Sequence, residues 1–390
     1  MALNSKYKSL MQVDSLREGN VDIATRPRHG ARRVVLEHFR NYTHLDLELS
    51  PGFNVLAGPN AQGKTNFLEA LYLVATTRLL RGQKDAEAVL DGEENAKVSV
   101  ELLATNTQLS VTLERGIRKR AAVNGLNVPR ASDLIGRMPA VSVSSVDLAI
   151  VRGEPADRRM FLDVELSSLY TSYLRHLTLY KRALEQRNAL LRDSRELMQP
   201  ESAFEPWEVQ ISHHGSALRQ ARELFVNSLA PLAKDAHGEM SAGETLHVAY
   251  VRRDDAEGEE GLYRALQTSR NVDVARGGTS VGPHRDDVLI EVGGRDARLF
   301  GSQGQQRTAV ISLKLAAMEH AKETLGGPPL LLLDDIFSDL DIRRRALLVE
   351  RVGALSGQTV LTCTEAESAG QALLNEASVF RVLGGRIEPA

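Results

Sequence analysis

The chain has 390 residues, 42% hydrophobic and 25% charged, which is enough apolar material for a sizeable core and two or three domains. With 48 Lys and Arg against 51 Asp and Glu, the net charge of −3 excludes a uniformly basic nucleic-acid binder and confines any DNA contact to a local patch. Aromatic content of 5% argues against recognition by stacking bases on rings, and a single cysteine excludes an internal disulfide framework and fits a reducing cytoplasm.

Residues 1–31 are polar, lack sustained periodicity and run into Arg26-Pro27-Arg28-His29-Gly30-Ala31-Arg32-Arg33. They read as a flexible extension, with a basic DNA-touching arm as the alternative. They contain no signal-peptide core, and no later stretch approaches the roughly 20 apolar residues of a membrane span, so a cytoplasmic location is expected. From Val34 the pattern becomes strand-like: Val34–Leu36, the alternating Leu45–Leu49, then Phe53–Ala57, residues 98–103 and 109–115. Asn124-Gly125 marks a hairpin between Arg118–Val123 and Leu126–Val128. After Asp157 the period turns helical. Leu162, Leu166, Leu169, Tyr173, Leu177, Tyr180 and Leu184 form one apolar stripe, expected on a single helix of about seven turns. A second helix is expected from Glu205-Pro206-Trp207 towards Leu229, ending before Pro231. Strand character returns at Leu246–Val251 and Val288–Val292, followed by a Gly293-Gly294 turn, and a helix pattern covers Thr308–Lys322.

Gly58-Pro59-Asn60-Ala61-Gln62-Gly63-Lys64-Thr65 spell G-x-x-x-x-G-K-T between an apolar run and a helical pattern. In that context the backbone N–H groups form an anion nest, and the start of the next helix adds unpaired donors and partial positive charge. Lys64 is expected at the β and γ phosphates of ATP or GTP, and the Thr65 hydroxyl on Mg²⁺. A Gly-rich turn that binds nothing is the bland alternative. Leu330-Leu331-Leu332-Leu333-Asp334-Asp335 is the natural partner: a strand buried on both faces, with two carboxylates at its ligand-bearing end. Asp334 is assigned to Mg²⁺, and Asp335 to orienting or deprotonating the attacking water. Lys64 and Asp334 stand roughly 270 positions apart, far more than a minimal phosphate-loop domain needs, so the helical stretch between them reads as an insertion. Ser302-Gln303-Gly304-Gln305-Gln306-Arg307 leads into the Thr308 helix. Its small residues let a phosphate approach closely, with Ser302 and Gly304 as donors. One subunit has no need of two phosphate-reading helix starts for one nucleotide, so this element reads as acting on a neighbour's ATP; a glutamine-rich capped helix is the alternative.

Together these residues resemble the ATP-binding-cassette ATPase superfamily, and more closely its RecF family of bacterial recombination mediators. The likeness runs from about Leu36 to the end. It is carried by Leu36–Tyr42, the phosphate loop, Arg158–Asp163, Tyr180–Asn188, Gly282-Pro283-His284-Arg285-Asp286-Asp287, Ser302–Arg307 and Leu331–Asp341. The resemblance implies an α/β ABC-ATPase head like that of the Rad50 and SMC proteins, with a phosphate-loop parallel sheet and a β-rich subdomain, plus an inserted, mostly helical second domain. The head is assigned to residues 32–155 and 275–390 and the insertion to 156–274. The resemblance also implies ATP and Mg²⁺ as cofactors, an ATP-dependent homodimer and slow DNA-dependent ATPase activity. The implied partners are double-stranded DNA at gaps and junctions, RecR with RecO, and the RecA pathway. By the same likeness Ser302, Gln303, Gly304 and Gln305 read the partner's γ-phosphate, and Ser338–Asp341 lie at the dimer seam. Arg40 matches a Rad50-type arginine near the phosphates, Arg81 is a weaker candidate there, and Asn66 joins the loop residues that touch ATP. Ala61 departs from a usual glycine and fits only if its φ stays negative. Ser145-Val146-Asp147 replaces a common Pro-Glu-Asp, and Trp207-Glu208 a frequent Trp-Asp. Thr362-Cys363-Thr364 replaces the transporter switch histidine, which points to slow hydrolysis.

Other signals divide between function and structure. Arg115, Arg118, Lys119 and Arg120 read equally as a DNA-backbone contact and as a solvated hairpin, and Arg343-Arg344-Arg345 as a helix surface or an interface. His284 reads as structural or nucleotide-sensing, and Cys363 as strand-end packing. His213 and His214, being adjacent on a helix, are expected to point apart and not to chelate together. The overall reading is an ATP-gated DNA clamp. A nuclease or kinase, or a transporter ATPase subunit, are the rivals.

Overall fold

The computed structural model describes residues 29–390 apart from 82–83, 197–198, 242, 339 and 356. Most of the extension expected over residues 1–31, and Asp339 of the expected seam, therefore lie outside the described residues. In chain order the strands are β1 (Ala31–Phe39), β2 (Tyr42–Glu48), β3 (Phe53–Ala57), β4 (Asn95–Leu102), β5 (Gln108–Glu114), β6 (Ile117–Val123), β7 (Leu126–Asn127) and β8 (Ala140–Val143). They continue with β9 (Leu246–Val251), β10 (Asp287–Val292), β11 (Arg295–Asp296), β12 (Leu330–Asp334), β13 (Gln358–Cys363), β14 (Ala377–Leu383) and β15 (Arg386–Pro389). The longer helices are α1 (Lys64–Thr76), α2 (Pro155–Leu169), α3 (Thr171–Asp193), α4 (Glu205–Met240), α5 (Gly258–Arg276), α6 (Gln303–Leu325) and α7 (Ile342–Leu355).

The chain divides into two compact units. One contains the described residues up to Leu148 with 235–243 and 310–390, and the other contains 149–234 and 244–309. The first unit is built on a sheet of order β15-β14-β3-β13-β12-β8, parallel except for the β15 edge. Its four leucines alternate as the pleat requires. Leu330 and Leu332 face a core shared with α1 and the antiparallel sheet β2-β1-β4-β5-β6-β7, while Leu331 and Leu333 face Ile311, Leu315, Leu348 and Val352 of α6 and α7. Burial on both faces is why this strand carries no polar alternation. The expected hairpin forms with Asn124 and Gly125 both at positive φ (50° and 78°), the geometry that matches the twist of the flanking strands. Strand β8 carries no alternation because all four of its residues are buried.

The second unit holds α2, α3, α4 up to residue 234, α5 and a small antiparallel sheet of order β11-β10-β9. Here the structure corrects two expectations. The stripe from Leu162 to Leu184 is two helices, broken at Tyr170, whose backbone is extended (φ −131°, ψ 106°) and which is buried. Its N–H closes the first helix on the Leu166 carbonyl and its own carbonyl opens the second towards Leu174. One residue out of helical geometry leaves the three-to-four spacing intact, so periodicity alone does not register it. The second correction is that α4 does not stop before Pro231 but continues to Met240. Proline within a helix costs about 3 kcal/mol, here offset by burial of Leu229, Ala233, Ala236 and Met240 on either side of it. Among the described residues no helix is long and apolar enough to cross a membrane.

Candidate nucleotide-binding site

Strand β3 delivers the loop Gly58–Gly63 to the carboxyl edge of the parallel sheet, and α1 begins at Lys64 as expected. Two glycines are required by space. A Cβ on Gly58 would lie 2.3 Å from the Val382 carbonyl of β14, and one on Gly63 (φ +117°) 2.8 Å from the Asn41 side chain. Ala61 is the exception to the sequence reading, because its φ is +64°, not negative. A left-handed residue within such a loop turns successive N–H groups to one side, which is how an anion nest is built. The alanine Cβ therefore sits in a conformation costing about 1–2 kcal/mol.

The loop is held from two turns. From β1–β2, the Asn41 side chain donates to the Gln62 carbonyl (3.0 Å), and the Tyr42 hydroxyl donates to the Gly63 carbonyl (2.9 Å). Asn66 of α1 donates back to Asn41 Oδ1 (2.8 Å). From β14–β15, the N–H groups of Gly384 and Gly385 donate to Gln62 Oε1 (2.8 Å) and to its carbonyl (3.1 Å). Pro59, Asn60 and Ala61 remain exposed at the tip. Lys64 is buried, and its Nζ donates to the carbonyls of Gly58 (2.5 Å) and Pro59 (2.7 Å). Burial lowers its pKa, opposed by the carboxylates of Asp335 and Asp334.

The acidic strand end meets this loop. Thr65 Oγ1 donates to Asp334 Oδ1 at 2.9 Å across a separation of 269 residues, and Thr362 Oγ1 donates to the same oxygen at 2.8 Å. The Asp335 N–H donates to Thr362 Oγ1 (3.0 Å), and Asp335 itself sits at φ +50°. Thr362, on neighbouring β13, is thus the link between both carboxylate residues, a role that sequence reasoning missed. The oxygen donors brought together by Thr65 and Asp334 are hard ligands of the kind Mg²⁺ takes. The Cys363 thiol is buried and pushed up to about 11 by that burial, so it stays protonated and packs, as expected.

Arg40, at φ +57°, donates to Glu69 of α1 (2.7 Å) and to the Glu87 carbonyl (2.8 Å), so its guanidinium braces the helix that follows the loop. Arg81 is exposed after α1. Asp147 accepts from Ser144 N–H (2.8 Å) and pairs with Lys314 (3.2 Å). Ser338 Oγ donates to the Asp335 carbonyl (2.8 Å), and Asp341 caps α7 through the Arg344 N–H (2.9 Å). Three of the four basic hairpin side chains make local contacts, while Arg115, Arg118 and Arg120 stay exposed. Arg115 donates to the Glu93 carbonyl (3.0 Å), Lys119 to Asp85 (2.9 Å) and Arg120 to Glu114 (3.1 Å). Arg344 and Arg345 likewise fasten the backbone, donating to the Met240 (3.1 Å) and Phe337 (2.9 Å) carbonyls.

In the other unit, Ser302 and Gln303 are exposed. Helix α6 starts at Gln303, five residues before the expected Thr308. Ser302 and Gln305 form a reciprocal capping box: Ser302 Oγ accepts from Gln305 N–H (3.2 Å) and Gln305 Oε1 accepts from Ser302 N–H (2.7 Å). The S-x-x-Q spacing was the available signal. Gly304 thus lies in the first helical turn, and Gln305 Nε2 donates to Glu244 (2.7 Å). The Gly282–Asp287 run forms a buried polar hub. Asp286 accepts from Arg219 (2.7 Å) and Tyr250 (2.8 Å), and Asp287 pairs with Arg158 (2.7 Å). His284 has both ring nitrogens engaged, by the Tyr180 hydroxyl (2.6 Å) and the Thr279 carbonyl (3.0 Å), and burial drives it down to about 4. It is structural, one of the two readings left open. Glu208 keeps the carboxylate expected there, buried against Arg187 (3.2 Å).

The family model described as the RecF/RecN/SMC N terminal domain matches residues 31–384. A DNA replication and repair protein RecF from Lachnoclostridium phytofermentans is 38% identical over 363 residues, covering 92% of this chain and 99% of that protein. Its counterpart from Symbiobacterium thermophilum is 40% identical over 342 residues, covering 84% and 90%. Among solved structures, the recombination mediator protein RecF with ATP, of the RecFOR pathway, matches with a TM-score of 0.85 at 29% identity, covering 95% of this chain and 100% of that one. An Smc head domain from Pyrococcus furiosus matches in fold alone, with a TM-score of 0.53 at 14% identity over 92% and 95%.

Proposed function

The chain belongs to the RecF/RecN/SMC N-terminal-domain family, and from that membership we propose that it is an ATP-gated DNA clamp acting in DNA replication and repair. The observation that carries the reading is the meeting of Thr65, Asp334 and Thr362 at the mouth of a phosphate loop. In this reading the loop amides of Gly58–Gly63 and the first-turn amides of α1 hold the phosphates of ATP. Lys64 exchanges the carbonyls of Gly58 and Pro59 for phosphate oxygens, and Asn66 keeps Asn41 and the loop in register. Mg²⁺, held by Thr65 and Asp334, neutralises phosphate charge when bound. Asp335 accepts a proton from the attacking water. Thr362, engaged by both carboxylate residues, offers no imidazole to the γ-phosphate, which keeps hydrolysis slow.

A second copy supplies the missing donors. Ser302, Gln303, Gly304 and Gln305, exposed or half-buried at the start of α6, face the neighbour's terminal phosphate, so ATP favours the dimer because only the dimer completes the contacts. In this reading residues 32–155 and 275–390 act as the head and 156–274 as the insertion, although 149–155 and 275–309 cluster with the helical unit and 235–243 with the sheet unit. The closed dimer holds double-stranded DNA near gaps and, with RecR and RecO, helps load RecA; the relatives' description as DNA replication and repair proteins supports the replication and repair role in this reading. The test is Lys64→Met. ATP binding and ATP-dependent dimerisation are expected to vanish together by calorimetry and light scattering, and normal nucleotide affinity in that variant sinks the assignment.

A further inference from the structure

Three histidines converge within the helical unit. His176 on α3 and His213 and His214 on α4 present ligand-capable atoms all within 4.8 Å of one another. His176 Nδ1 and His214 Nδ1 are 3.0 Å apart, and the His213 ring lies edge-on to His214 with centroids 4.9 Å apart. This overturns the expectation that adjacent histidines point apart. Neighbours on a helix diverge by about 100°, yet His176 faces the gap between them from the facing helix, and both rings turn towards it. One His–His hydrogen bond accounts for a single pair of nitrogens; the third ring pairs with Glu259 and still stands within 4.8 Å of the other two.

We infer that His176, His213 and His214 form a binding site for a divalent transition-metal ion of the zinc class. Imidazole nitrogen is a preferred ligand of such ions, and tetrahedral Zn–N bonds of about 2.0–2.1 Å put ligand nitrogens about 3.3 Å apart. The observed spread of up to 4.8 Å has to close by about 1.5 Å to reach that spacing. Glu259 of α5 lies 2.9 Å from His213 Nδ1, the arrangement in which a carboxylate orients a ligating ring. The positive Arg175 stands close to His176 and His214. Arg175 repels the dication, and Glu259 opposes it. His213 is half-exposed, giving the ion a route in. One ion here ties α3 to α4 directly, and α5 through Glu259, so binding stabilises the helical unit independently of nucleotide.

Tag-free full-length protein, stripped with EDTA and free of nucleotide, is titrated with Zn²⁺ by calorimetry and with Co²⁺ by visible absorption. One equivalent is expected to bind, with the strong d–d bands of a tetrahedral nitrogen site and a higher melting temperature. His176→Gln and His214→Gln each weaken binding by more than about 100-fold, and Glu259→Gln by about 10-fold. Absence of stoichiometric binding to the unmodified protein overturns the site. So does unchanged affinity in a His176→Gln, His214→Gln double variant with native helix content.

Discussion

Ala61 shows how one side chain bears the geometry of a phosphate cradle. Its left-handed φ of +64° aims the loop amides, and its Cβ is the cost of not being glycine. Ala61→Gly is expected to stabilise the protein by roughly 1 kcal/mol, the relief of strain less the added freedom of the unfolded chain. Urea denaturation measures it, and a loss of stability would contradict the strain. Asp335 is a second left-handed residue, fixed by Thr362 through its N–H. In the proposed mechanism its carboxylate takes the water's proton, so Asp335→Asn is expected to lower ATP turnover at least ~100-fold while lengthening the dimer's lifetime, read by phosphate release and light scattering. The loop, Lys64, Thr65 and Asp334 were legible as residues because each has a fixed chemical task and spacing. Asn41, Tyr42 and Thr362 were not, because their tasks are to hold other residues in place across long separations.

At the scale of elements, motifs that read as family signatures prove to be the ionic interior of the helical unit. Arg158 pairs with Asp287, Arg222 with Asp163, and Arg219 with both Asp254 and Asp286. Fully buried Arg187 joins α3 to Glu208 of α4 and to Asp273 of α5. Arg187→Met would leave two buried carboxylates short of a partner, so a loss of about 3–5 kcal/mol is expected in denaturant titrations. The same network sets the acid response. Burial alone would raise Asp163, Asp254 and Asp287, yet Arg222, Arg219 and Arg158 respectively hold each below its ordinary value. A carboxylate depressed in the folded state contributes stability above its unfolded pKa near 3.9, and that contribution fades as pH falls below it. Buried His284 has a folded pKa of about 4 against 6.5 when unfolded, so its contribution is whole above 6.5 and fades down to about 4. Stability is therefore expected to decline between pH 6.5 and 4, with His214 and His320 adding to His284, and to go on falling below. Urea midpoints across that range check it, and His284→Gln should flatten the upper part.

For the molecule as a whole, the proposal divides one nucleotide between two copies. Ser302 is exposed and caps its own helix, so it is available to a neighbour without unfolding anything. Ser302→Arg removes that cap, worth about 1 kcal/mol, and puts a bulky cation at the seam. Monomers are expected to bind ATP within about 3-fold of normal, while ATP-dependent dimerisation, followed by light scattering, is lost. Retained dimers would remove Ser302 from the partner's site.

The sequence by itself determined the place of the loop between strand and helix, the acidic strand buried on both faces and the helical insertion between them, because each is written in local spacing and in residue types with few alternative uses. The break at Tyr170, the passage of α4 through Pro231, the left-handed Ala61, the Thr362 link and the meeting of three histidines were decided only in three dimensions. Each depends on packing between segments far apart in the chain. Periodicity records which face of an element is covered; it does not record what covers it, or which buried polar group will be waiting there.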